Sequence, residues 1–197
     1  MTVIRRGRPR SESSRQAILE ATGDLIAEVG YDAMTIESIA SRAGVGRATI
    51  YRWWKSKSAI VADAVVSGCI PLPDVKIPST GSLSRDLKSW IHDTAEVLSD
   101  PGTGQLVRGL ATAASQDVRE SELLYRHITG PNYEALVARL HSGKSSGQLP
   151  ETADPHAMAD ALIGTSLFHT LTRQNDQLRM GRVVDALLPA QDGPSQD

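Results

Sequence analysis

Residues Thr35 to Lys57, TIESIASRAGVGRATIYRWWKSK, constrain the fold more than any other stretch of the chain. Ile36, Ile39, Ala40 and Ala43 lie three and four apart, as the buried stripe of a helix requires, and Thr35 is a good N-cap residue ahead of them. Gly44 should stop that helix. In Ala43-Gly44-Val45-Gly46 the glycines allow positive φ and a sharp change of direction, and Val45 offers an apolar plug between the two arms. A second helix is expected from about Arg47, with Ile50 and Trp54 turned inward, four apart. Arg47, Thr49, Tyr51, Arg52 and Trp53 are then left outside, an odd surface for a helix with only a structural task.

Two helices joined this way form a helix-turn-helix, in which the second helix enters the major groove. There guanidinium groups bond guanine edges, threonine methyls touch thymine, and hydroxyls and cations hold phosphates. Arg47 and Arg52 are the candidate base readers, and Thr49 is a candidate for a base or thymine-methyl contact. Tyr51, Trp53 and Lys57 are candidates for gripping the backbone, and Thr35 is counted with the candidate DNA contacts. The competing reading is a helical hairpin with a solvated polar face. The segment before it favours DNA: IRRGRPR carries Arg5, Arg6, Arg8 and Arg10 with Gly7 and Pro9 as helix breakers and no acidic residue. Residues 1–10 are expected to be a flexible basic arm, extended and able to thread a narrow minor groove, rather than a merely solvated basic tail.

The first sixty or so residues resemble the DNA-binding domain of the tetracycline-repressor (TetR) family. The resemblance rests on a first helix RQAILEATGDLIAEVGYDAMTI, the segment IASRAGVGRATIYRWWKSK, and a further helix beginning SAIVADAV. Members often show Gly-Val-x-x-x-Thr-Leu-Tyr-x-His-Phe-x-x-Lys, and this chain has Gly44, Val45, Thr49, Ile50, Tyr51 and Lys57 at those places. Trp53 stands where histidine is frequent, and Trp54, where phenylalanine is frequent, keeps a large aromatic side chain in the core.

Charge distribution agrees with this reading better than net charge does. The 197 residues sum to −2, yet residues 1–57 hold ten Lys and Arg against six Asp and Glu, and residues 58–197 hold eleven against seventeen. A basic head on an acidic body aims the head at phosphate. Cys69 is the single cysteine, so no internal disulfide can form, which fits a reducing compartment. No apolar run approaches the roughly 20 residues of a membrane span, and the arginine-rich start is not followed by an apolar block, so a cytoplasmic location without membrane contact is expected.

The fold class expected is all-α, with an N-terminal three-helix helix-turn-helix head and a larger C-terminal helical domain for ligand sensing and dimerisation. The head should span residues 11–57, with a first helix from about Ser11 to Val29 burying Ile18, Ala21, Leu25, Ile26 and Val29 before Gly30 ends it. A connecting helix, capped by Ser56, should occupy residues 58–69. The body is expected over 70–190 and a disordered tail over 191–197. In the body, Ile70 to Ser82 has three prolines and reads as a connection. Helices are expected over about Leu83 to Ser99, stopped by Asp100-Pro101-Gly102, and over about Thr103 to Ala114. A long candidate from Asp117 to His141 should break or kink at Gly130-Pro131, and Gly143 to Pro150 should be a loop. Asp154-Pro155 opens a helix running through Arg173 that is apolar on more than one side, and a last helix covers about Asp176 to Leu188.

The family resemblance implies that the final two helices make a homodimer, whose two heads would match a pseudo-palindromic operator in double-stranded DNA. It also implies a repressor released by a small-molecule effector bound among the body's helices. Trp90, Leu106, Leu110, Tyr125, Tyr133, Phe168 and His169 are the candidate pocket wall, being large and at helical positions facing a presumed interior, although each also suits plain core. No cofactor and no metal are expected, since His127, His141 and His169 stand singly. Nor is an enzyme: there is no nucleophile elbow, no phosphate loop, and no carboxylate pair at i, i+4 beside a histidine. The alternative kept beside the ligand-responsive repressor is an effector-independent DNA-binding regulator or activator.

Overall fold

The computed structural model describes residues 9–174 and 177–188. Their regular structure is helical, with no strand among them. The elements are α1 (Pro9–Ala33), α2 (Ile36–Arg42), α3 (Arg47–Tyr51), α4 (Lys57–Val66), α5 (Leu83–Ser99), α6 (Pro101–Gln116), α7 (Val118–Leu124), a π-helical turn (Tyr125–Thr129), α8 (Gly130–Ser145), α9 (Pro155–Thr172) and α10 (Gln177–Leu187). The chain divides into two compact units, one of Met1–Leu72 with Gln105–His127, the other of Pro73–Gly104 with Ile128–Asp197.

In the first unit the helix boundaries follow from capping chemistry. Thr35 and Ser38 close a reciprocal capping box at the start of α2: the Ser38 amide donates to Thr35 Oγ1 at 3.1 Å and the Thr35 amide to Ser38 Oγ at 3.0 Å. Ser56 Oγ accepts from the Ala59 amide at 3.1 Å and so starts α4. Gly44 has φ 65°, which turns the chain out of α2 into α3. The core joins Ile18, Leu19 and Leu25 of α1 to Ile39, Ile50, Trp54, Ile60 and Val61, all buried.

Several expected boundaries shift. Helix α1 begins at Pro9, not Ser11, because proline's fixed φ and missing N–H suit the first helical position. At its other end the non-helical Gly30 breaks the helix; Val29 is 51% exposed, not buried, and Met34 takes the inward place. The connecting helix ends at Val66 rather than Cys69, since Gly68 at φ 76° turns the amides of Cys69 and Ile70 back onto the Ala64 carbonyl. Asp100-Pro101-Gly102 ends α5 as expected but also begins α6: Asp100 Oδ1 accepts from the Thr103 amide at 2.8 Å. The expected long helix over 117–141 is indeed interrupted, by the π turn ahead of Gly130 and Pro131. Helix α8 then continues through Gly143 to Ser145, where a loop was expected, because Gly143 leaves room for Leu83; a Cβ there would lie 2.6 Å from Leu83 Cδ2.

Residues 105–127, read from the sequence as part of the body, group with the head. A close approach accompanies this grouping. An added Cβ on Gly109 would meet the Tyr31 ring at 2.5 Å, so only glycine lets α6 seat against that ring. Helix α7 is in turn packed on α4.

The second unit has one apolar cluster, in which Leu83, Leu87, Trp90 and Ile91 of α5 meet Leu136 and Leu140 of α8, Met158 and Leu162 of α9, and Met180 and Val184 of α10. One ion pair is buried with it. Arg139 donates through Nε and Nη2 to Asp86 Oδ2 at 2.9 and 2.6 Å, and Thr80 donates to the same carboxylate through its amide and hydroxyl. Burial alone would raise the Asp86 carboxyl, but the Thr80 hydroxyl and the Arg139 guanidinium outweigh it and hold it below the usual range.

Candidate nucleic-acid interface

Helix α3 is only five residues long, so the surface expected on a longer second helix is divided between a helix and a turn. Arg47, Thr49 and Tyr51 belong to the helix; Arg52 and Trp53 lie just beyond it, held by bonds from the Arg52 and Trp53 amides to the Ala48 and Ile50 carbonyls. Ile50 is fully buried and Trp54 nearly so, and the Trp54 indole N–H donates to Asp63 Oδ2 at 3.0 Å. With those two anchors inward, Tyr51 is 54% exposed, Trp53 39%, and Arg47 and Arg52 are exposed as well. Thr49 is half-buried. The five residues therefore share one neighbourhood, with four of them open to solvent.

Two of these candidates have partners the sequence did not signal. Arg47 Nη1 donates to Glu37 Oε1 at 2.7 Å, and that bond holds the Glu37 carboxyl below its usual value. Nothing in the spacing links positions 37 and 47 until the glycine turn folds α3 against α2. Lys57 Nζ donates to the carbonyls of Tyr31 and Met34 at 2.8 and 3.0 Å and lies 4.3 Å from the centre of the Tyr31 ring. It thereby ties the end of α1 to the start of α4. The Thr35 hydroxyl is engaged in its capping box. A third connection, Arg42 to Glu28 through both carboxylate oxygens at 2.9 and 2.7 Å, fixes α2 on α1.

Of the arginine arm, Arg5, Arg6 and Arg8 lie outside the described residues, and Arg10 is within the first turn of α1 by its backbone.

The candidate effector residues fall into both units. Leu106 and Leu110 are buried in the first unit, where Tyr125 is exposed on the π turn. Trp90 and His169 are buried in the second; Trp90 belongs to its apolar cluster, and His169 Nδ1 bonds the Gln174 carbonyl. Tyr133 is half-buried with its hydroxyl 3.2 Å from His156 Nδ1, whereas Phe168 is 58% exposed. Within the second unit, Phe168 thus stands apart from the cluster that holds Trp90. Cys69 is a weak candidate for chemistry, because burial and the nearby Glu20 push its thiol up. No group of three or more His, Cys, Asp or Glu is gathered as metal ligands among the described residues, and no helix there is long and apolar enough to cross a membrane.

Two family models match this arrangement. Residues 18–64 match "Bacterial regulatory proteins, tetR family", and residues 77–187 match "Tetracyclin repressor-like, C-terminal domain". The chain belongs to the TetR family. Among TetR-family relatives, the uncharacterised HTH-type transcriptional regulator YdeS of Bacillus subtilis is 32% identical over 189 residues, covering 94% of this chain and 92% of that protein. The DNA-binding transcriptional repressor TetR of Mycobacteroides abscessus is 26% identical over 185 residues, covering 91% and 94%. In fold, the chain is similar to the TetR family transcription regulator SCO0332, with a TM-score of 0.63 at 24% identity over 89% of this chain and 96% of the other. A similar fold occurs in FadR of Bacillus subtilis, a transcriptional regulator solved in complex with stearoyl-CoA, with a TM-score of 0.58 at 20% identity over 88% and 97%. This TetR-family protein is a transcriptional regulator with an N-terminal DNA-binding domain.

Proposed function

We propose that the protein is a homodimeric repressor that reads a pseudo-palindromic operator through α3 and the turn after it, and that a small molecule held by its helical body weakens that grip. The observation that carries the DNA reading is the side of α3 opposite Ile50 and Trp54, where Arg47, Tyr51, Arg52 and Trp53 are exposed together. A duplex laid on that surface meets two guanidinium groups, a phenol and an indole, the mixture that base edges and phosphates require. Glu37 acts as a placeholder for Arg47: a carboxylate holds the guanidinium in position and yields it to a guanine edge.

Support for the dimer comes from α9. Leu167, Phe168 and Leu171 are 39%, 58% and 46% exposed on that helix, an apolar stripe continued one turn earlier by Gly164. Such a stripe suits burial against a second copy across a two-fold axis, as half of a four-helix contact. The ligand-responsive repressor reading is supported by the relatives: one is named a repressor, and one protein of similar fold holds stearoyl-CoA. Linkage then requires that the effector bind the DNA-free spacing of the heads more tightly than the DNA-bound one.

The deciding experiment is a footprint and gel-shift series on the DNA upstream of the chain's own gene, repeated with a compound library. Tyr51→Phe should weaken binding to every sequence, whereas Arg47→Ala should relax discrimination at particular base pairs, by about 1–3 kcal/mol at its own site. Uniform loss from both variants would overturn this division of roles. Operator binding that no compound alters would favour the effector-independent regulator. Phe168→Asp should leave helicity unchanged and convert the dimer to a monomer in sedimentation; a variant still dimeric at micromolar concentration would remove α9 from the interface.

A further inference from the structure

Beside the turn after α3, the first unit contains a cleft of about 500 Å³ that shares only Trp53 with the proposed DNA-reading surface. Ala59, Ala62 and Val66 of α4 and the Trp54 indole give it an apolar lining, completed by Leu123 of α7 and Trp53. Trp53 and Leu123 are each 39% exposed, so both present surface a ligand can cover.

The charged groups around the cleft differ in whether they are partnered. Asp63 accepts from Arg15 Nη2 at 2.5 Å and from the Trp54 indole, and Lys55 lies 3.6 Å from Asp117. Arg119 is exposed to solvent. The Glu120 carboxylate is half-buried, and it enters no hydrogen bond or ion pair among the described residues. Burial first, and then the Asp117 carboxylate, push its carboxyl above the usual range; Lys55 pulls the other way, and Asp63 adds a smaller push. A half-buried carboxylate and an exposed indole lining one cleft are the pairing that attracts a cation with a flat apolar body, since the indole quadrupole and the carboxylate act on the same charge.

We propose that this cleft binds an organic cation, its charged nitrogen against Glu120 and its apolar body against Trp53 and Leu123, in competition with duplex DNA. The competition rests on the DNA reading above, because Trp53 belongs to both surfaces; the binding itself does not. An occupant here acts on the DNA-reading unit directly, unlike an effector held in the body.

The test uses the full chain without DNA first. N-methylquinolinium is titrated by calorimetry and by NMR of the three tryptophan indole N–H groups, beside its neutral isostere 1-methylnaphthalene and the anion 1-naphthoate. The cation should move the Trp53 and Trp54 signals and leave Trp90 in place, and Glu120→Gln, with helicity unchanged, should weaken it about ten-fold. Added duplex should then displace it. Equal binding of the neutral isostere, unchanged affinity in Glu120→Gln, or no binding of the cation overturns the site. Undiminished binding in the presence of saturating duplex overturns the competition. A chain that binds the cation and no duplex would instead refute the DNA reading, so the two failures are distinguishable.

Discussion

Asp86→Ala should destabilise the second unit by about 3–5 kcal/mol, the range for removing one partner of a buried ion pair and leaving the other charge uncompensated. Asp86 is fully buried and the Arg139 side chain is 9% exposed, so the guanidinium has little access to water once its partner is gone. The amide and hydroxyl of Thr80 lose their acceptor at the same time, which should also release the segment before α5. Urea denaturation followed by circular dichroism reads the change. A loss under about 1 kcal/mol would place the pair among ordinary surface contacts. The same carboxylate sets a pH dependence. Its folded value is depressed, so its stabilising contribution is present above the unfolded value, near pH ~3.9, and is lost as pH falls through the folded value. Asp86→Asn should flatten the acid limb of the stability curve below about pH 4 while costing stability at neutral pH.

A loss of similar size is expected in the first unit from Trp54→Ala. Truncating a buried aromatic residue costs about 3–5 kcal/mol, and here Asp63 also loses its indole donor, though it keeps Arg15. Trp54 and Ile50 are the inward anchors of α3 and the turn after it, and α3 is too short to hold its shape without them. The variant should therefore lose duplex binding together with a fall in melting temperature. Trp54→Phe separates the effects: it refills most of the volume but supplies no donor, so it should recover most of the stability. Trp54→Ala that melts like the parent would show that the helix does not depend on this anchor.

Local chemistry made much of the first unit legible in the sequence. Thr35, Gly44 and Ser56 act through bonds or dihedrals within a few residues of themselves, and each does what its side chain allows. The Asp154 cap of α9 is of the same kind. What failed to show was partnership at long range. Leu106 and Leu110 have the period of a buried stripe, but periodicity does not say whose core they enter, and the contacts that accompany the grouping, Gly109 against Tyr31 and α7 on α4, are remote in sequence. Asp100-Pro101-Gly102 was read as a stop because proline ends a helix behind it; the same proline suits the first turn of a helix ahead. In the candidate interface, the outward residues were found from the two inward ones, whereas Glu37 and the Tyr31 carbonyl, which hold Arg47 and Lys57, became visible only when the turn was closed.

The seat of Gly109 on Tyr31 bears on how such a regulator can be recombined. The unit that carries α3 is discontinuous in the chain, drawn from Met1–Leu72 and again from Gln105–His127. A graft that transfers only the first stretch to another scaffold would strip Tyr31 of its seat and leave the α7 side of α4 bare. Exchange of the DNA-binding unit between relatives has to carry both stretches, or keep the glycine and the ring matched across the new junction.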